Sequence, residues 1–186
     1  MVDKRPLSQI LIWSVLVSAA LGAAEVNIAP DAVTRATQGY NTYEGELAFL
    51  TDGLYPGNSD AAEAFVWPTK GNLIFQFDSP RPVCGIRLYI GEDAGSYAAV
   101  AYLGAQFGES GQTETAGAEM VADVYDFDFA TDTWVELSFP PDTVTDYIEL
   151  ITESGAEIYE IEILTTVPEP TAVKVESWGE IKRQHR

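Results

Sequence analysis

The chain reads as an all-β protein, a β-sandwich or jelly roll of antiparallel sheets, and three observations carry that reading. From Glu25 to Thr166 apolar residues alternate with polar ones in short pieces. Clusters of Gly, Pro, Asn and Asp separate the pieces, and no helical stripe longer than a few turns interrupts them. Successive strand side chains point to opposite faces, so a period of two lets each piece bury one face and wet the other. Short strands joined by turns, without alternating helices, pair antiparallel and pack as two sheets.

The first element is an address. Lys4 and Arg5 precede an apolar run from Leu7 to Leu21, and Gly22, Ala23 and Ala24 follow it. That order is the charged start, apolar middle and small-residue cleavage region of a secretory signal peptide. The run falls short of the roughly 20 predominantly apolar residues of a membrane helix. Residues 1–24 are therefore expected to be a signal peptide, leaving a secreted or cell-surface protein with no membrane span in its mature chain.

The body, residues 25–166, is expected to be one domain. Leu73, Phe75 and Phe77 alternate with Asn72, Ile74 and Gln76, and Ile86, Leu88 and Ile90 alternate with Arg87 and Tyr89. Val135, Leu137 and Phe139 alternate with Trp134, Glu136 and Ser138, and Tyr159, Ile161 and Ile163 alternate with Glu160 and Glu162. Turn residues stand between them at Asp78–Pro82, Glu92–Ser96, Gly108–Gly111 and Pro140–Asp142. Cys84, at the head of an apolar strand, reads as a small buried hydrophobe. After Thr166 the character changes. Val167-Pro168-Glu169-Pro170 is stiff and extended, and Lys182, Arg183 and Arg186 close a short flexible tail over residues 167–186. Val175, Trp178 and Ile181 recur every three residues, but a segment this short is marginally helical in water.

Composition narrows function. With 186 residues, 46% of them apolar, the chain is long enough for a real core. Ten Lys and Arg against 29 Asp and Glu give a net charge of −19, which argues against nucleic acid or an anionic membrane as partner. One Cys excludes an internal disulfide framework and a cysteine zinc site. The one His, His185, lies in the tail, so neither a Ser-His-Asp arrangement nor a His-ligated catalytic metal is expected in the body. Carboxylate pairs of the kind a glycosidase needs occur everywhere in so acidic a chain and single out no site. No enzyme activity is expected.

The order of motifs in the body resembles the discoidin or coagulation-factor C-type (F5/8 type C) family. Asn27-Ile28-Ala29 and a Thr-rich strand over Thr34–Thr37 lead to Leu50-Thr51-Asp52-Gly53. Phe65-Val66-Trp67 then leads into Asn72-Leu73-Ile74-Phe75-Gln76-Phe77, followed by Cys84-Gly85-Ile86-Arg87-Leu88-Tyr89. Asp146-Tyr147-Ile148-Glu149-Leu150 and Ile158-Tyr159-Glu160-Ile161-Glu162-Ile163 resemble the family's last two strands. The resemblance implies a galactose-binding-like β-sandwich and a structural calcium ion. By the same resemblance Asp52 supplies a carboxylate oxygen, the turn from Tyr55 to Ser59 supplies carbonyls and the Ser59 hydroxyl, and Glu160 closes the shell. Calcium takes six to eight hard oxygen ligands, carbonyls among them. On alternation alone, Glu160 points opposite Tyr159 and Ile161, free to face a neighbouring loop or solvent.

Aromatics beside turn signals are the second candidate site: Tyr40, Tyr43, Trp67, Tyr97 and Phe127, with Phe129 close by. A sugar presents flat C–H faces and a rim of hydroxyls, which aromatic faces and neighbouring carboxylates or amides suit. Core packing is the commoner role for each of these rings. The expected function is an exported, non-catalytic module that recognises a glycan or cell-surface polysaccharide through the loops of a calcium-stabilised sandwich. The alternative is a structural or surface-assembly protein without a sugar ligand. Val167-Pro168-Glu169-Pro170 resembles the start of the bacterial Pro-Glu-Pro sorting signal, although Lys174, Glu176 and Glu180 interrupt the apolar span that would follow it.

Overall fold

A computed structural model describes residues 24–37, 43–92, 95–152 and 154–167. The expected signal peptide up to Ala23 and the tail beyond Val167 lie outside the described residues. So does the three-residue periodicity of Val175, Trp178 and Ile181.

Two five-stranded antiparallel sheets face each other. The first has the order β1 (Ala24–Asn27), β12 (Ala156–Val167), β5 (Gly85–Ile90), β10 (Thr133–Ser138), with β3 (Phe65–Trp67) also paired to β12. The second runs β2 (Val33–Ala36), β4 (Gly71–Pro82), β11 (Val144–Thr152), β6 (Tyr97–Leu103), β9 (Glu119–Asp126). A small hairpin of β7 (Gln106–Phe107) and β8 (Thr113–Glu114) stands apart, and 3-10 turns cover Ala29–Asp31 and Leu47–Thr51. No helix among the described residues is long and apolar enough to cross a membrane. Ala24 pairs with Val167, so the first sheet takes in one residue on each side of the expected 25–166 domain.

The alternating positions meet between the sheets. Leu73, Phe75 and Phe77 from β4, Ile86, Leu88 and Ile90 from β5, and Val135 and Leu137 from β10 are all buried in one cluster with Ile148 and Leu150. Burial of this kind stabilises by roughly 25 cal/mol per Å² of apolar surface, and the period of two aims the same faces inward along every strand.

Two strands depart from simple alternation. In β12 the pairing with β5 shifts between Ile158 and Glu160. A bulge of this kind re-aims the side chains beyond it. Tyr159 is half-buried beside Tyr89, and Glu160, opposite Tyr89 and in antiphase to the core residue Ile161, also points away from the core. Glu160 faces a neighbouring loop, as alternation implied, but it is 1% exposed beneath the Gly53 turn and is not a solvated face residue. In β4, Ile74 is buried on the face opposite Leu73 and Phe75. It packs with Tyr147 and Ala105 beneath the β7–β8 hairpin, and Phe107 and Ala118 complete this second, smaller cluster. Cys84 is half-buried between β4 and β5, and its thiol donates to the Leu164 carbonyl at 3.3 Å. Burial raises the thiol's pKa, which keeps it protonated and unreactive.

Candidate functional site

Four connections gather at one end of the sandwich. The Gly91 N–H donates to the Glu157 carbonyl at 2.9 Å and the Asp132 N–H to the Gly91 carbonyl at 3.1 Å. The Ser96 N–H reaches Ser154 Oγ at 3.3 Å. Gly155 lies so near the β3–β4 turn that a Cβ there would stand 3.0 Å from the Pro68 oxygen. Four of the five expected ligand-binding aromatics come to this end. Trp67 closes β3 opposite Ala156, Tyr97 opens β6 opposite Asp126, Phe127 follows Asp126, and Tyr43 precedes Glu44, which bridges to Val66. Tyr40 lies outside the described residues.

Coming together is not the same as facing a ligand. Trp67 and Tyr97 are each 1% exposed, so neither ring offers a face to a sugar. Strand alternation turns both between the sheets, where Trp67 packs edge-on against Phe65 with centroids 5.0 Å apart. The indole lies across Gly71, where a Cβ would stand 2.4 Å from Trp67 Cε2, and this close approach demands glycine. These two residues belong to the core and not to a contact surface. Tyr43 is half-buried against Phe65, with centroids 4.7 Å apart.

Phe127 is different. It is 63% exposed and stacks on Tyr125, itself 56% exposed, with centroids 6.0 Å apart and planes inclined by 6°. Phe129 lies 53% exposed two residues on. The Tyr125 hydroxyl donates to Asp123 Oδ2 at 3.0 Å, and that bond raises the phenol's pKa. Beyond β9 the chain turns where the Asp128 N–H donates to Asp126 Oδ1 at 2.8 Å, and Phe129 adopts φ +52°. A left-handed backbone costs a non-glycine residue roughly 1–2 kcal/mol. The loop thus carries strain while holding an apolar ring in water. The Tyr-Asp-Phe-Asp-Phe pattern is visible in the sequence, but its period of two continues as if in a strand, whereas β9 ends at Asp126.

The expected calcium ligands meet at the edge of β12, between the stretches that pair with β3 and β1. Glu160 Oε2 accepts from the Gly53 N–H at 2.9 Å, while its Oε1 is buried with no hydrogen-bond partner among the described residues. Burial pushes the Glu160 carboxyl up to about 8; the Gly53 hydrogen bond opposes the rise, and the charges of Asp52 and Glu162 add to it. Asp52 Oδ1 accepts from the Leu54 N–H at 2.8 Å. Asn58 fixes the loop by donating to the Gly53 carbonyl and accepting from the Tyr55 N–H, both at 2.9 Å. The Ser59 N–H donates to the Tyr55 carbonyl at 3.0 Å and its Oγ accepts from the Ala61 N–H at 3.1 Å. Among the described residues no three His, Cys, Asp or Glu converge on a point. A cation here would rest on Asp52 and Glu160 with loop carbonyls and a hydroxyl, a set of hard oxygens that fits calcium. The orphaned, buried Glu160 Oε1 is the observation that makes the fit, since a buried acceptor without a partner is costly.

Comparisons with solved structures agree with the fold. A structure from the Streptococcus pneumoniae beta-galactosidase BgaA is similar to the chain with a TM-score of 0.56 at 16% identity, over 77% of this chain and 99% of that one. A Streptococcus pneumoniae fucose binding module is similar with a TM-score of 0.54 at 17% identity, over 75% of this chain and 94% of that one. A second fucose binding module of the same organism matches with a TM-score of 0.54 at 12% identity, over 76% of this chain and 99% of that one. No protein-family model matches the chain, and no curated protein matches it in sequence. The fold is a two-sheet antiparallel β-sandwich similar to those of the two fucose binding modules, in agreement with the all-β sandwich that the sequence motifs imply.

Proposed function

We propose that the chain is an exported, non-catalytic carbohydrate-binding module whose ligand rests on the Tyr125–Phe127 ledge at the loop end of a calcium-stabilised sandwich. One observation carries this reading: two stacked aromatic rings, each more than half exposed, stand beside Asp123 and Asp126 at the end where the loops converge. Exposed aromatics of this size are rare on a surface without a partner, and a pyranose packs its C–H face on such a ring while carboxylates accept its hydroxyls. Tyr43, half-buried against Phe65, and, from the sequence alone, Tyr40 remain candidate contacts. Two of the similar structures are described as fucose binding modules, which supports a sugar as the ligand class.

Calcium would be held by Asp52, Glu160, the Ser59 hydroxyl and carbonyls of the Tyr55–Ser59 turn. It would neutralise the buried carboxylate and fasten the loop to β12. The segment ahead of Ala24 directs export.

The test is a glycan array probed with the full mature chain, with and without calcium, followed by calorimetry on any hit. A shallow single site is expected to bind with a Kd near the millimolar range, about −4 kcal/mol. Phe127→Ala should remove at least nine-tenths of the affinity and leave the melting temperature unchanged, because the ring is exposed. Binding that survives Phe127→Ala and Tyr125→Ala together defeats the ledge. An array without a single hit returns the reading to a structural or surface-assembly protein.

A further inference from the structure

The outer face of the β2-β4-β11-β6-β9 sheet holds a cleft that the loop-end ledge does not use. The β7–β8 hairpin folds back over this face. Phe107 and Ala118 pack on Ile74 and Tyr147, and Tyr147 shares a 3.0 Å hydrogen bond with the Thr113 hydroxyl. Arg35 reinforces the roof, its guanidinium 5.3 Å from the Phe107 ring centroid and its Nη1 donating to Gln76 Oε1 at 2.9 Å. Between roof and sheet lies a cleft of about 460 Å³, lined among others by Asn72, Tyr102, Gln112, Thr113, Thr115 and Glu149.

Its floor is unusual for the outside of a sheet. Glu149 is 8% exposed, and its Oε1 accepts from Asn72 Nδ2 at 2.6 Å. Its Oε2 is not among the buried atoms left without a partner, so it stays open to the cleft. A carboxylate on the floor of a cleft keeps lone pairs for the donors of a ligand. The walls are Thr hydroxyls and a carboxamide, groups that both donate and accept, with the exposed Lys70 among the lining and Tyr102 and Ile151 as the apolar side. Cleft volumes between about 300 and 1,000 Å³ suit small ligands.

We propose that this cleft is a second ligand site, taking one or two units of a neutral saccharide. The chemistry selects the class. A hydroxyl of the ligand satisfies Glu149 Oε2, and other hydroxyls pair both ways with the Thr and Gln groups. An anionic ligand would meet the Glu149 charge, and a simple amine would leave the wall donors unused. The proposal stands on the cleft's own residues, independently of the ledge.

The experiment is amide chemical-shift mapping of the full mature chain titrated with free galactose, fucose, glucose and mannose, in wild type, Glu149→Gln, Thr115→Tyr and Phe127→Ala. Thr115 is exposed on the hairpin, so a tyrosine there blocks the cleft without entering the core. At least one hexose should shift amides of Gly71, Asn72, Gln112 and Thr113, and the shifts should persist in Phe127→Ala. Glu149→Gln should weaken that response at least tenfold and Thr115→Tyr should abolish it. Hexose shifts confined to residues 125–129 overturn the cleft and leave the ledge standing. Cleft shifts unaltered by Thr115→Tyr, cleft shifts produced by ethanolamine and by no hexose, or cleft amides that move with none of the sugars, also overturn it.

Discussion

Glu160 is the residue on which stability and metal binding turn. Its folded carboxyl titrates near 8, far above an ordinary glutamate, because burial disfavours the charge. As pH rises from about 4.5 towards 8, the unfolded chain loses this proton first and so binds fewer protons than the folded one; metal-free stability therefore falls across that window and levels off above it. The loss is on the order of a few kcal/mol. At the proposed site calcium would reverse the slope, since it would bind the deprotonated carboxylate and only in the folded state. Melting temperatures in EDTA should decline from pH 5 to pH 8, and the rise on adding calcium should grow with pH. Glu160→Gln should flatten the first profile and abolish the second effect. A calcium rise that survives this substitution places the ion elsewhere, and a wild-type EDTA profile identical to that of Glu160→Gln denies the buried proton.

At the scale of elements, the β7–β8 hairpin is the piece with the least support. It pairs only with itself and rests on the small Ile74–Tyr147–Ala105 cluster. Tyr147 is fully buried, yet its hydroxyl reaches Thr113, so Tyr147→Phe removes one anchor at a cost of about 1 kcal/mol. Hydrogen exchange should quicken over residues 106–118 in that variant while β4, β11 and β6 keep their protection. Uniform quickening would mean that the hairpin opens only with global unfolding. The same element explains what sequence could and could not convey. Alternation in β4, β5 and β10 was legible because one face of each meets the core. Ile74 and Glu149 read as outward positions, and so they are, but the hairpin that buries them comes from a Gly- and acid-rich stretch with no apolar period. Glu160 was legible as a ligand only through the resemblance: alternation places it opposite Ile161, towards a neighbouring loop, but gives no sign that the Gly53 turn buries it. Trp67 and Tyr97 beside turns look like contact residues, yet the first or last position of a strand still has an inward phase.

On the whole molecule, charge selects among ligands that contacts alone would admit. The chain carries a net charge of −19, and Asp123, Asp126 and Asp128 surround the ledge, while the cleft has Glu149 on its floor and Lys70 among its lining. A polyuronate or sulfated polysaccharide would approach against this field, whereas a neutral glycan would not feel it. Repulsion of this kind is screened over a Debye length of about 8 Å at physiological ionic strength and grows as salt is removed. Neutral sugar binding should therefore keep the same Kd, within about twofold, from low to high sodium chloride, because hydroxyl hydrogen bonds and ring stacking carry no net charge. Binding of a polyuronate should be undetectable at low salt and strengthen, if at all, as salt is added. The comparison belongs in EDTA, since calcium can bridge two carboxylates and mimic affinity. Association rates give the sharper reading, as long-range fields act on encounter more than on the docked complex. A polyuronate that binds faster and tighter at low salt would reveal a basic path across the surface and overturn the selection of neutral ligands by charge.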